Sequence, residues 1–286
     1  MSATIYHADR LSLDYPAEFH AIQSVLGGHG IPYLPIPGTR DVWCRDYLPV
    51  PAATGDLVQF VYWPRYLRAK EFAHQITTPG CYRDLPFVGS VRESVIILDG
   101  GAVEICGKTG IVTERVFEDN YWYDREELTQ KLKATLALNT LIVIPVEPGD
   151  VTGHVDGVVR FITDQSVIMN DYAKLGGRSA AYGREVLRAL RAQGIVDCHL
   201  LPYAPNNRRG REGMPEASGC YINFLKAGEL ILLPQFGLQA DRQALDACRD
   251  IFAGCVIEPV DCRELAKAGG VLNCVSWTNT KEAHHG

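Results

Sequence analysis

Short apolar runs of strand length alternate with longer amphipathic segments from one end of the chain to the other. This alternation restricts the fold to a mixed α/β class. The strand candidates are Leu57–Tyr62, Val95–Leu98, Ala102–Cys106, Leu141–Val146, Val158–Ile162, Val167–Asn170, Tyr221–Leu225, Leu230–Leu233 and Cys255–Val260, rich in Val and Ile and bounded by Gly, Pro, Asp or Asn. Helices are expected at Pro16–Leu26, Asp124–Leu138, Ser179–Gln193 and Ala240–Phe252. Leu98–Ile144 and Val158–Leu201 follow one plan, a hairpin of two strands, then a helix, then a further strand. Recurrence of such a unit at roughly forty-residue spacing suggests a radial or solenoid architecture. No low-complexity linker interrupts the 286 residues, so the whole of 1–286 reads as one domain.

Composition narrows the function classes. A formal net charge of −6 disfavours nucleic acid as the main partner and suits a cationic ligand better. The first twenty residues lack the apolar core of a leader, and no run approaches the ~20 apolar residues of a membrane span. A cytoplasmic location away from any membrane follows as the expectation. The nine cysteines are odd in number, in a long chain with no visible export signal, which disfavours a disulfide framework. The lack of a Cys-x-x-Cys pair disfavours a structural zinc site.

Several familiar signatures fail on inspection. Gly107-Lys108-Thr109 resembles the end of a phosphate-binding loop, but the required first glycine falls on Ala102, so the segment reads as a hairpin turn. Three polar segments remain. Asp41-Val42-Trp43-Cys44-Arg45-Asp46-Tyr47 sets two carboxylates and an arginine around a tryptophan. Thr152-Gly153-His154-Val155-Asp156-Gly157 enters a strand candidate, and in extended chain His154 and Asp156 would share a face. Gly269-Gly270-Val271-Leu272-Asn273-Cys274 places a thiol after a double glycine. Each has an ordinary reading as surface ion pairs, a hydrogen-bonded histidine or a core thiol. Together they offer a Cys, a His and several carboxylates, the materials of nucleophilic catalysis on a cation.

The order W-C-R-D-Y, L-D-G-G, G-H-V-D-G-V-V-R-F, Y-I-N-F and G-G-V-L-N-C, from about Asp41 to Trp277, resembles the agmatine deiminase and bacterial peptidylarginine deiminase family. The resemblance implies a five-bladed α/β propeller (pentein) of pseudo-fivefold strand-strand-helix-strand units. It implies Cys274 as nucleophile, His154 as general acid and base, and Asp46 and Asp156 as the carboxylates that hold a guanidinium, with Trp43 and Asp99 completing the substrate-binding set. Two positions depart from the family pattern: Asp99 stands where Glu is common, and Asn273 stands where agmatine deiminases usually have His. The chain is also shorter than typical agmatine deiminases.

The implied reaction is hydrolysis of a guanidino group to a ureido product and ammonia through a covalent thiouronium on cysteine, without metal or organic cofactor. The implied partner is a small cationic guanidino substrate, and a homo-oligomer is compatible with it. An amidinotransferase, a dimethylarginine hydrolase and a non-catalytic propeller used as a binding module are the alternatives. A papain-like protease is excluded because its cysteine lies near the mature N-terminus. Beyond the guanidinium, the loops Asp171–Arg178 and Tyr203–Ser218 are candidates for shaping the pocket, with Arg208, Arg209 and Arg211 available to a substrate carboxylate.

Overall fold

The structure, a computed structural model, describes residues 4–70, 72–78, 80–83, 85, 91–206, 208–210 and 213–278. Among these residues the strands form five three-stranded sheets. The chain groups into two compact units, one of Met1–Arg45, His74–Val88 and Leu201–Gly286, the other of Asp46–Ala73 and Gly89–Leu200.

The second unit carries three of the sheets, and one shows the plan most fully. Val103–Cys106 pairs antiparallel with Thr109–Thr113, which lies parallel to Thr140–Ile144 across the intervening helix Arg125–Leu136. A parallel neighbour needs a crossover, and the helix provides it. The helix starts where Asp124 accepts a hydrogen bond from the Glu127 amide at 2.8 Å, and it stops at Ala137, whose φ of 56° is left-handed. Leu128, Leu132 and Leu136, spaced by four, are fully buried. Each contributes about 2 kcal/mol of burial, and they join Val58, Phe60, Ile96 and Val112 in one cluster.

The same arrangement recurs nearby. Val50–Pro51 pairs antiparallel with Leu57–Val61, which lies parallel to Val91–Ile97. Val159–Thr163 pairs antiparallel with Ser166–Asn170, beside which runs Asp197–Leu201 after the helix Gly177–Ala192.

The first unit repeats the plan twice. Ile5–Ala8 lies antiparallel to Trp277–Thr278 and parallel to Tyr33–Ile36, with the helix Pro16–Gly28 as crossover. Leu225–Ala227 pairs antiparallel with Leu230–Gln235, which lies parallel to Val256–Asp261 across the helix Ala240–Ile251. At the start of that helix, the Asp241 carboxylate accepts from the amides of Phe236, Gly237 and Leu238 and from the Tyr221 hydroxyl.

Most strand and helix expectations hold within a few residues, and the turn at Gly107 joins two strands as anticipated. Tyr221–Leu225 does not. Its first four residues form a buried turn, and the strand begins only at Leu225. The segment is apolar because it is enclosed, and the Asn223 carbonyl is taken by the Asn273 amide, not by a ladder partner. The strand expected at Val95–Leu98 begins earlier, at Val91, because its first half is partly exposed and mostly polar and carries no apolar signal. Among the described residues no helix is long and apolar enough to cross a membrane. All nine cysteines are free thiols.

Candidate active site

In the second unit, Asp46, His154 and Asp156 converge on Gly101, and Asp99 joins them through His154. The Gly101 amide donates to Asp46 Oδ1 at 3.0 Å, and its carbonyl accepts from the amides of Val155 and Asp156 at 2.9 and 3.2 Å. A Cβ at Gly101 would lie 2.8 Å from Asp46 Oδ1, 2.8 Å from His154 Nδ1 and 3.3 Å from Asp156 Oδ2. His154 sits between two carboxyl groups. Its Nε2 is 3.2 Å from Asp99 Oδ2, and its Nδ1 is 3.7 Å from Asp46 Oδ1.

The chain around His154 is held by its own turn chemistry. Asp150 accepts from the Thr152 amide and hydroxyl and from the Gly153 amide, and Thr152 Oγ1 accepts from the His154 amide. Gly153 has φ 76°, and a side chain there would strike the stem of Arg115. The backbone does not continue as extended chain from His154 to Asp156. A turn closes from Val155 to the amides of Val158 and Val159, and the strand starts at Val159. The expectation that the two share a strand face is therefore corrected. They meet through the turn and through the Gly101 carbonyl, because the glycines around them favour tight backbone over ladder pairing.

Burial and charge oppose each other in this cluster. Burial works against a protonated His154, but Asp46, the hydrogen bond to Asp99 and the nearby Asp156 outweigh it and raise its pKa to about 10. Asp46 is pushed up to about 7, chiefly by burial and further by Asp99 and Asp156, against the pull of His154 and the Gly101 amide. Three carboxyl groups around one imidazole make a buried site with an excess of acid over base, suited to a cation.

In the first unit the thiol has its own setting. Cys274 is buried, its amide and Sγ each 3.4 Å from Asn223 Oδ1. The Cys274 carbonyl accepts from the Arg45 amide at 3.1 Å, and Arg45 Nε donates to the Asn273 carbonyl at 3.2 Å. Gly270 packs under the Trp43 ring. A Cβ there would lie 2.5 Å from Trp43 Cζ3 and 3.1 Å from Cys274 Cβ. Trp43 is oriented in turn by Asp41, which accepts its amide at 2.9 Å. Trp43, Gly270, Asn223 and Cys274 thus form one packed group.

The model of the Porphyromonas-type peptidyl-arginine deiminase family matches residues 5–279. The chain belongs to this family. It is 24% identical to an agmatine deiminase of Ectopseudomonas mendocina over 281 residues, covering 83% of this chain and 74% of that protein. Among solved structures it is similar to the agmatine deiminase of Enterococcus faecalis, with a TM-score of 0.76, 18% identity, and coverage of 97% of this chain and 93% of that one. It is also similar to a dimethylarginine dimethylaminohydrolase, with a TM-score of 0.55, 14% identity, and coverage of 97% and 100%. These two likenesses place this family member within a fold common to them.

Within this deiminase-family chain, Asp46, Asp99, His154 and Asp156 come together in one unit, and Trp43 and Cys274 in the other. Asp41 accepts the Trp43 amide, and Asp46 accepts the Gly101 amide and faces His154. Two contributors carry no role in the sequence reading: Gly101, the backbone hub of the carboxyl cluster, and Asn223, the partner of the thiol. Both lie inside quoted motifs, L-D-G-G and Y-I-N-F, so the signal was present without its geometry. Arg209 spends its Nη1 on the Gly213 carbonyl within its own loop, and Arg211 lies outside the described residues. Among the described residues no group of three or more His, Cys, Asp or Glu is placed to hold a metal ion.

Proposed function

We propose that the chain is a hydrolase that deiminates a guanidino compound of the agmatine or arginine type, giving a ureido product and ammonia. The observation that carries this reading is the His154 imidazole held between Asp46 and Asp99, with Asp156 beside it, around the space at Gly101. A guanidinium is planar and permanently charged, and paired carboxylates bind it through charge-assisted hydrogen bonds. Asp46 and Asp156 are assigned that role, and Asp99 and Trp43 are the further candidates for substrate binding. Membership of the peptidyl-arginine deiminase family and the agmatine deiminase relatives support the same chemistry.

Each residue then has a step. The Cys274 thiolate adds to the guanidinium carbon, forming a C–S bond. The tetrahedral adduct expels ammonia with a proton from His154, leaving a thiouronium. Water adds to that carbon as His154 takes its proton; the C–S bond then breaks, restoring the thiolate, and the new hydroxyl gives its proton to solvent to leave the neutral ureido product. A pKa raised to about 10 gives His154 the proton that the first half-reaction requires. Loss of the substrate's charge weakens the hold of Asp46 and Asp156, which favours release.

The five three-stranded sheets, alike in order, support reading the chain as one catalytic domain whose sheets are the blades of a five-bladed propeller. A cytoplasmic setting suits a reduced thiol nucleophile, and all nine cysteines are free. The decisive experiment incubates the purified protein with agmatine, free arginine, an arginine peptide and methylated arginines, and measures ammonia, alkylamine and ureido product. Ammonia with an equal amount of ureido product is expected from one of the unmethylated guanidines. Release of alkylamine alone, or no product from any of them, overturns the assignment.

A further inference from the structure

Behind the carboxyl cluster, in the same unit, lies a small cavity lined by Asp99, Arg115, Arg65, Tyr66, Leu98 and Thr152 among others. Asp99 offers only one of its oxygens to His154. The other, Oδ1, is buried and has no hydrogen-bond partner among the described residues. Arg115 is in the complementary position. Its Nη1 is held by Glu118 at 2.6 Å and its stem lies against Gly153, while its Nε is buried and has no partner among the described residues. A buried donor and a buried acceptor left apart each carry an uncompensated desolvation penalty. Both residues border a cavity of ≈ 20 Å³, and one buried water needs roughly 10–15 Å³. The other arginine of the cavity, Arg65, is occupied by Asp119 and Glu118.

We propose that Arg115 is a positioning residue for Asp99, acting through one buried water. The Arg115 Nε–H donates to the water, and the water donates to Asp99 Oδ1. Asp99 is then fixed at both ends, with Oδ2 aimed at the Nε2–H of His154. Arg115 touches no reacting atom. It sets the direction of the carboxyl group that sets the direction of the imidazole, and it also steadies Gly153, the residue before His154, by packing against it. The kinetic consequence rests on the deiminase reading; the hydrogen-bond arrangement does not.

The test uses Arg115→Lys, which keeps the charge and most of the stem but puts a methylene where Nε–H was. It is paired with Asp99→Glu, whose extra methylene takes up the water's space. Arg115→Lys should lower kcat about tenfold with KM within twofold, since a water-mediated link to a charged group is lost without touching the guanidinium. In the Asp99→Glu background the same Arg115→Lys change should cost less than threefold, because no water is left to orient. A high-resolution crystal structure of the unaltered chain should show density between Asp99 Oδ1 and Arg115 Nε. An undiminished kcat in Arg115→Lys, an equal loss in both backgrounds, or a cavity without that density overturns the proposal. If Arg115→Lys does not fold, the density alone decides. A parent protein that turns over no guanidine refutes the deiminase reading, and the density still judges this one.

Discussion

The amide of Gly101 and the carboxyl of Asp46 are 3.0 Å apart, across fifty-five residues of sequence, and this bond anchors the acidic cluster. Gly101 has a backbone conformation open to other residues, yet a methyl group there would press on Asp46, His154 and Asp156 at once. Gly101→Ala is therefore expected to fold with Tm within a few degrees of the parent while losing about 10²-fold or more in kcat/KM, equivalent to about 3 kcal/mol. Steady-state kinetics beside a thermal melt would check it, and parental kinetics would show that the cluster has room to spare.

Asp46→Asn keeps an oxygen for the Gly101 amide, so the local fold should survive. What it removes is charge, and an amide presents a donor to a substrate that is itself all donors. Both Asp46→Asn and Asp156→Asn should lose about 10²-fold or more in kcat/KM on the preferred guanidine. Values within threefold of the parent would mean that these carboxylates are not the guanidinium clamp.

How much of this was legible in the sequence depends on the distance over which residues cooperate. The candidate residues Asp46, His154, Asp156 and Cys274 could be singled out, because they lie in compact motifs whose residue types suit a cation and a nucleophile. The repeating hairpin, helix and strand could be read from periodicity, because the crossover helices bury one stripe, as Leu128, Leu132 and Leu136 do. The hub at Gly101 could not, since its partners lie fifty-five residues away on both sides and spacing carries no record of backbone hydrogen bonds. Asn223 was obscured for a related reason: full enclosure makes a turn as apolar as a strand, and only the hydrogen bonds to Asn273 and Cys274 tell them apart.

Cys274 should be the only cysteine whose loss abolishes turnover. Cys274→Ala removes a thiol but leaves the Asn223 contact to the amide of residue 274, so it should stay folded and form neither thiouronium nor product. Mass spectrometry of the parent quenched during turnover should find the covalent adduct, and the variant should show none. Product formation by Cys274→Ala would remove the nucleophile from the scheme.

Asp241 gives a prediction about stability alone. Its carboxylate receives three backbone amides and the Tyr221 hydroxyl at the start of the helix Ala240–Ile251. Asp241→Ala leaves those donors without an acceptor and should cost about 2–3 kcal/mol in urea unfolding. A loss below about 0.5 kcal/mol, the scale of ordinary surface changes, would mean that water replaces the carboxylate without penalty.

The acidic cluster also fixes how stability depends on pH. His154 has a folded pKa of about 10 against an ordinary 6.5. A group raised in this way contributes stability that is complete below pH 6.5 and is lost as pH climbs through about 10, because over that window the native state holds a proton that the unfolded chain has released. Asp46 acts in the same direction in its own window. Its folded pKa of about 7 lies above the ordinary 3.8, so the stability of the fold falls between those values as the unfolded chain gives up its proton first. Both slopes are negative, and the cluster favours the folded state more at pH 6 than at pH 9. His154→Asn removes the larger part of that dependence. Urea melts of parent and variant at pH 6, 7.5 and 9 should therefore show the parent's advantage shrinking steadily with pH, by an amount on the order of a few kcal/mol. A constant difference across that range would mean that His154 is neutral in the folded protein, and that the proton for the departing ammonia must arrive with the substrate.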